Sequence, residues 1–164
     1  MILLAAAARL IPHPPGFSPI AAMALFGGAS FPNKRSAFLV PFAGLALSDL
    51  VFGFNGITPV IYAAFALIVC IGFWIRRHPS AARIAGAGIA SGVLFFLIAN
   101  FGVWAIDNWY PKTAAGLMQC YAAALPFLKN TVLSNLLFSA ALFGGLKLAE
   151  YRFLWLRKQP IVAI

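Results

Sequence analysis

The chain has 164 residues, of which 63% are apolar and 9% are charged. Soluble domains carry about 45–50% apolar and about 25% charged residues, and a chain this short exposes much of its surface when it folds. Lipid tails tolerate an apolar surface of that extent, whereas water does not. The composition therefore excludes a soluble enzyme and predicts an all-α integral membrane protein.

The formal net charge is +9, yet the placement of the basic residues argues against nucleic acid binding. They form short clusters between apolar runs, as expected where cytoplasmic helix ends collect Lys and Arg. We therefore interpret the charge as a topology signal. The clusters contain Lys34, Arg35, Arg76, Arg77, Arg83, Lys147, Arg152, Arg157 and Lys158.

Six apolar runs, bounded by proline, polar or charged residues, predict a bundle of about six short transmembrane helices in a single domain, 1–164. Several fall short of the roughly 20 residues that cross a bilayer, so neighbouring protein or a water-filled cavity must cover the backbone around them. We expect the Pro-rich connection 12–17 to enter the membrane, where it would be a place for a site. The predicted spans are 2–11, 18–31, 37–53, 58–75, 81–104 and 131–149.

This span count predicts that both termini are cytoplasmic. The inside then holds nine of the twelve basic residues, and the outside holds Arg9, Lys112 and Lys129. Under the positive-inside rule this asymmetry sets the orientation.

The longest connection, 105–129, lies outside in this topology. It holds Trp109, Tyr110 and Tyr121, together with the apolar stretch Ala114 to Leu128. A partly helical cap across the outer mouth fits this pattern. The same rings fit an aromatic belt that anchors helix ends at the interface, and both interpretations stay open.

Asp49 lies inside the third span, where an ionised carboxylate is costly unless it is paired or faces water. It is therefore a functional candidate. Contact with a substrate and a structural bridge to Arg9 are equally consistent with its position. His13 in the Pro-rich connection would form a metal site only if the fold brought it to Asp49, and we predict none.

Polar and aromatic side chains at the outer span ends suit a pocket for a small organic ligand better than for a bare ion. Asn130 and Asn135 belong to this group of amides, although amides also bond helix to helix. The predicted substrate-binding residues are His13, Asp49, Asn100, Trp104, Tyr110 and Tyr121.

The cysteines, glycines and small residues of the sequence form no cofactor-binding or catalytic motif. Cys70 is expected to be buried and Cys120 to lie near the outer surface, and their spacing is not that of a zinc site. Glycine-rich phosphate loops are absent from the sequence, and a membrane enzyme has no motif behind it. Small residues four apart favour helix packing within the chain, or docking onto a partner membrane protein. These pairs are Ala24 and Gly28, Gly86 and Ala90, and Gly88 and Gly92.

Several stretches resemble an uncharacterised family of small bacterial membrane proteins. That family is itself similar to the substrate-binding (S) components of energy-coupling factor transporters, by size, span number and an early helix rich in small residues. The stretches are 9–29 (RLIPHPPGFSPIAAMALFGGA), 100–104 (NFGVW), 110–117 (YPKTAAGL) and 124–131 (ALPFLKNT).

The resemblance implies a six-helix protein of the bacterial inner membrane that captures a vitamin-like compound or metal from outside. It implies docking through an alanine-rich face onto a transmembrane coupling subunit driven by ATPases. Ala5 to Ala8 and Ala21, Ala22 and Ala24 would supply that face. The rival hypothesis is a structural or assembly subunit of a larger membrane complex, without a ligand of its own.

Overall fold

The computed structural model describes residues 16–152, apart from the side chains of Ser48, Val51 and Phe52. This part of the chain is all-helical, as predicted, and its helices alternate in direction. They are α1 (Ile20–Ser30), α2 (Lys34–Phe52), α3 (Thr58–Arg76), α4 (Ala81–Ile106) and α5 (Ala114–Arg152).

Three of these helices, α3, α4 and α5, are long and apolar enough to cross a membrane. The chain is therefore a membrane protein. Helix α1, with 11 residues, is apolar but too short to cross alone. The predicted span 2–11 lies outside the described residues.

Capping side chains set the starts of two helices. Ser80 accepts a hydrogen bond from the backbone N–H of Arg83 at 3.2 Å, so α4 begins where the sequence predicted. Asn33 accepts from the N–H of Arg35 at 2.9 Å. Because of this cap, α2 begins at Lys34 rather than at the first apolar residue, and two cations lie in its first turn.

The predicted division between an outer cap at 105–129 and a last span at 131–149 is wrong. Helix α5 is continuous over 39 residues and passes through Pro126. Pro126 removes one backbone hydrogen bond from the helix. Both halves of α5 pack along α4, and this packing compensates for the lost bond. The Cys120 sulfur lies 3.4 Å from the carbonyl oxygen of Asn100, and the Asn135 amide nitrogen lies 3.4 Å from that of Gly88.

Helix α1 occupies the centre of the described bundle and packs against α2, α3, α4 and α5. Every residue from Ile20 to Ala29 is buried, as expected of a helix that is apolar on all sides. Ala21, Ala22 and Ala24 are 6%, 1% and 0% exposed. The expectation that these three alanines form a docking face is therefore wrong, because the bundle covers them.

Two of the three small-residue pairs pack inside the bundle. Gly28 meets α3, and Gly92 meets Asn135 and Val132 of α5. Gly86 points outward, with no atom within 4 Å of where its Cβ would be. Close helix approach within the chain therefore explains the first two pairs, while the pair Gly86 and Ala90 stays uncovered.

Candidate functional site

The chain passes along the side of α5 just before α1 begins. A Cβ on Gly16 would lie 3.0 Å from the carbonyl oxygen of Phe127 and 3.2 Å from the Thr131 hydroxyl. Phe127 lies about 20 Å along α5 from its start at Ala114. Gly16 has φ +80°, which favours glycine, and this backbone lets the chain pass close to α5. Residues 16 and 17 of the connection 12–17 therefore lie against α5, with Gly16 exposed and Phe17 half-buried, and the entry of this connection into the membrane stays a prediction.

A cavity of about 250 Å³ opens where this connection turns into α1. Its apolar wall includes Phe65 of α3 and Phe95 of α4, whose ring centroids lie 5.2 Å apart. Its polar side is formed by Ser18, Thr131 and Asn135. Gly16, Ile20, Ala21 and Ile61 complete the lining among the described residues.

The polar side of the cavity offers hydrogen-bond acceptors. Asn135 is 1% exposed, and its side-chain nitrogen faces the carbonyl oxygen of Gly88. Its side-chain oxygen is buried without a partner among the described residues. The Thr131 hydroxyl donates to the Phe127 carbonyl at 3.0 Å, which leaves its lone pairs as acceptors. A buried polar atom without a partner carries a desolvation cost that a bound donor would remove.

The first turn of α1 supplies a backbone donor at the same cavity, because Ala21 is one of the lining residues. The N–H of Met23 donates to the carbonyl oxygen of Pro19 at 2.9 Å. The described residues give the N–H groups of Ala21 and Ala22 no backbone acceptor. The first N–H groups of a helix have no intrahelical partner and attract acceptors and anions. The cavity thus combines a donor from α1 with acceptors from α5.

The described lining contains no ionisable side chain. Residues 16–152 also contain no group of three or more His, Cys, Asp or Glu side chains that could hold a metal ion. The donors and acceptors of the cavity, with two aromatic rings beside them, match a small organic molecule better than a bare cation.

The chain matches DUF6580, described as a family of unknown function, over residues 1–159. It belongs to this family. No curated protein and no solved structure matches the chain. The function is therefore inferred from the geometry of the bundle.

Three of the predicted binding residues of this DUF6580 protein donate hydrogen bonds to backbone carbonyl oxygens of α4 or of the connection between α4 and α5. Trp104 donates through Nε1 to the carbonyl oxygen of Pro111 at 2.9 Å, and the Tyr121 hydroxyl donates to that of Leu97 at 2.7 Å. Asn100 donates to the carbonyl oxygen of Phe96 at 2.7 Å. None of the three lines the cavity described above, and their role in binding stays a prediction.

The other predicted binding residues also lie apart from this cavity or outside the described residues. Tyr110 is half-buried in the connection between α4 and α5. Asp49 is half-buried near the end of α2, and no described side chain bonds to its carboxylate. His13 and Arg9 lie outside the described residues, so both interpretations of Asp49 remain predictions.

One of the two cysteines differs from expectation. Cys70 is exposed on α3, because its position falls on the helix face that points away from α1, and the prediction of a buried residue is wrong. Cys120 is buried against α4, and its position near the outer surface stays a prediction. Among the residues that line the cavity, Asn135 was expected in an outer pocket. Ser18 and Thr131 are the first residues of two predicted spans, and their polar side chains indicate helix starts rather than a binding site.

Proposed function

We propose that this DUF6580 protein is a membrane uptake protein that captures a small organic molecule in the cavity at the start of α1. The observation that supports it is the buried, unpartnered side-chain oxygen of Asn135 in a residue that lines this cavity. Buried polar groups in proteins are almost always satisfied, so an unsatisfied one in a residue that lines a cavity needs an explanation, and a bound hydrogen-bond donor supplies one.

The cavity defines the class of ligand. Its volume of about 250 Å³ equals that of about eight liquid waters, so the ligand is small. A carboxylate or another acceptor group would bind at the N–H group of Ala21 in the first turn of α1. A donor group would bind at Asn135 and Thr131, with an apolar body packed beside the contacting rings of Phe65 and Phe95. A vitamin-like compound combines these features, whereas a metal ion does not.

The ligand enters from outside the bacterial inner membrane. Five cations, Lys34, Arg35, Arg76, Arg77 and Arg83, lie at one end of the bundle, which we call the basic end, and the positive-inside rule makes this end cytoplasmic. The opposite end, with the connections 53–57 and 107–113, then faces outside. With residues 2–11 as the first of six spans, both termini are cytoplasmic.

Transport follows the scheme implied by the resemblance to S components of energy-coupling factor transporters. A transmembrane coupling subunit with ATPases supplies the energy, since this sequence has no nucleotide-binding motif. Because Ala21, Ala22 and Ala24 of α1 are covered and Ala5 to Ala8 lie outside the described residues, we place the docking surface on another helix. Gly86 and Ala90 on the exposed face of α4 are the small residues that allow close approach of a partner helix.

A groove between α2 and α3 favours the second candidate, a structural or assembly subunit of a larger complex. The groove has a volume of about 790 Å³, and its lining is almost entirely apolar. A partner helix would fill it without any need for a ligand in the cavity at α1. Its apolar lining residues include Phe38, Leu39, Phe42, Ala43 and Ala46.

Native mass spectrometry of the protein purified from its host membranes tests both candidates. A co-purified small molecule supports capture, and stoichiometric protein partners without any ligand support the assembly role. The ligand found should bind at least about tenfold more weakly to Thr131→Val, which keeps the shape but removes the hydroxyl. The matched control is Ser139→Ala, which removes a buried hydroxyl of the same helix outside the cavity lining. Equal affinities of the two variants would contradict the assigned cavity.

A further inference from the structure

A second concave site lies at the basic end of the bundle, where α3 ends and α4 begins. It is a cleft of about 550 Å³ lined by Phe73, Trp74, Arg77, His78 and Arg83. Two guanidinium groups and an imidazole thus share one cleft with two aromatic rings. The cleft is separate from the cavity at α1, and the inference drawn from it does not depend on the proposed uptake function.

The loop that forms the cleft is held in place by Arg83. Its guanidinium donates to the carbonyl oxygen of His78 at 3.0 Å, and its backbone N–H donates to the Ser80 hydroxyl at 3.2 Å. A guanidinium has five N–H donors, and this contact uses one of them. The remaining donors of Arg83 are therefore held at a fixed place in the cleft.

The charge of the cleft is not neutralised by the described part of the protein. No described carboxylate forms an ion pair with Arg77 or Arg83. Asp107 lies at the opposite end of α4, and Asp49 lies near the end of α2 that is distant from Lys34. Glu150, close to the end of α5, is the remaining acidic residue of the sequence. Two uncompensated guanidinium groups in a concave site attract an anion, and phosphate oxygens match their geometry best.

The aromatic side of the cleft indicates what carries the phosphate. Trp74 is 71% exposed and lies three residues before Arg77, about one helical turn deeper in α3. Tryptophan prefers the membrane interface at the level of the headgroups. A free phosphate has no apolar part for this ring to contact, whereas a phospholipid places acyl chains beside Trp74 and Phe73.

We propose that this cleft binds the phosphate group of an anionic phospholipid. Arg77 and Arg83 contact the phosphate oxygens, and Trp74 packs against the glycerol and upper acyl region. Basic pockets between transmembrane helices bind anionic headgroups on the same physical basis.

Titration of the full chain in detergent, followed by native mass spectrometry, tests the proposal. Phosphatidylglycerol and phosphatidylcholine with identical acyl chains are compared. We expect phosphatidylglycerol to bind the protein at least about fivefold more tightly, and Arg77→Ala with His78→Ala to remove that preference. These two side chains are exposed, and the described residues give them no structural bond, so the variant keeps the Arg83 contacts.

The matched control is Lys147→Ala with Arg152→Ala, which removes two exposed cations near the end of α5. It should keep the preference for phosphatidylglycerol. An equal loss in the control would show a general charge effect and overturn the proposal, as would equal affinity for the two lipids. In a last experiment, inorganic phosphate is added at about 10 mM, a concentration well above the Kd expected for a specific phosphate site. Displacement of the lipid by it would assign the cleft to a soluble phosphate and overturn the lipid assignment.

Discussion

Gly28 of α1 and Gly72 of α3 face each other at the closest approach of these two helices. A Cβ on Gly28 would lie 2.9 Å from the Cα of Gly72 and 2.2 Å from the carbonyl oxygen of Val69. A Cβ on Gly72 would lie 2.4 Å from the carbonyl oxygen of Leu25. In lipid, such backbone contact is a main source of helix association, because apolar side chains gain little by leaving the lipid tails. This contact holds the helix that forms one side of the cavity.

Gly28→Ala and Gly72→Ala should each destabilise the protein by about 1–3 kcal/mol or more, because the atoms in the way are backbone atoms that cannot move aside. The expected result is a lower unfolding temperature in detergent and a lower yield of folded protein. Gly86→Ala is the matched control, since nothing lies within 4 Å of its Cβ position. An unchanged unfolding temperature for Gly28→Ala would mean that the two helices do not approach this closely.

In the polar interface between α4 and α5, we expect alanine substitutions of two buried residues to have opposite effects on stability. Asn135→Ala should cost about 1 kcal/mol, a typical value for a hydrogen bond between membrane helices, because it removes the bond to Gly88. Ser91→Ala should be neutral or stabilising, since the Ser91 hydroxyl is buried without a partner among the described residues. Reversible unfolding in mixed detergent micelles measures both. Destabilisation by Ser91→Ala equal to that by Asn135→Ala would contradict this interpretation of the interface.

Lys112 ties the connection between α4 and α5 to the end of α4. Its ammonium group donates to the carbonyl oxygens of Trp104 and Asp107. Lys112→Met, which keeps the length of the side chain, should lower stability by about 1 kcal/mol, because these bonds are exposed to solvent. Lys147→Met is the control, as Lys147 is an exposed lysine near the end of α5. Thermal unfolding compares the two, and equal midpoints would show that the bonds contribute nothing.

The orientation predicts which loops are reached from outside the cell. In a background of Cys70→Ala and Cys120→Ala, Asn108→Cys should react with an impermeant maleimide on intact cells or spheroplasts. Lys34→Cys should react after the membrane is opened, since it lies at the basic end. Both positions are exposed in the structure, so accessibility to solvent is matched. Labelling of Lys34→Cys alone on intact spheroplasts would reverse the proposed topology.

The two interpretations of Asp49 are separated by a double-mutant cycle with Arg9. If Asp49 contacts the substrate, Asp49→Ala weakens ligand binding without unfolding the protein, and Arg9→Ala adds its own effect. If the two residues form a structural bridge, both single variants lower the unfolding temperature and the double variant is no worse than either. Ligand affinity and unfolding temperature are measured on all four proteins. Unchanged affinity of Asp49→Ala would exclude its substrate contact.

Local signals in the sequence were sufficient for the helices bounded by caps and prolines. Ser80 and Thr58 with Pro59 mark the starts of α4 and α3 as the structure has them. The same type of signal failed at Asn130 and Thr131, since polar residues that resemble a helix start lie in the middle of α5. There, packing along α4 outweighs local preference, and packing partners distant in sequence are not visible in a local pattern.

The cavity could be predicted from the sequence only in part. The short length of the second span and the prolines before it drew attention to the connection 12–17, and Gly16 of this connection lines the cavity. The lining residues come from four separate segments of the chain, and their convergence depends on the central position of α1. A helix that is apolar on all sides has no amphipathic pattern to show which of its faces contacts protein. The sequence therefore did not reveal that α1 is enclosed by the other helices.

The central position of α1 also constrains the order in which the protein is made. A helix of 11 residues extends about 16 Å, roughly half of the hydrocarbon thickness, so it cannot be held in a bilayer on its own. The helices packed against it, α2, α3, α4 and α5, are all synthesised after it. Helix α1 therefore leaves the ribosome before these helices, but it can pack in its final position only after they have been synthesised. A chain arrested before α5 is complete should keep α1 accessible to protease or to the insertion machinery, and the cavity at the start of α1 can form only once synthesis has passed Asn135.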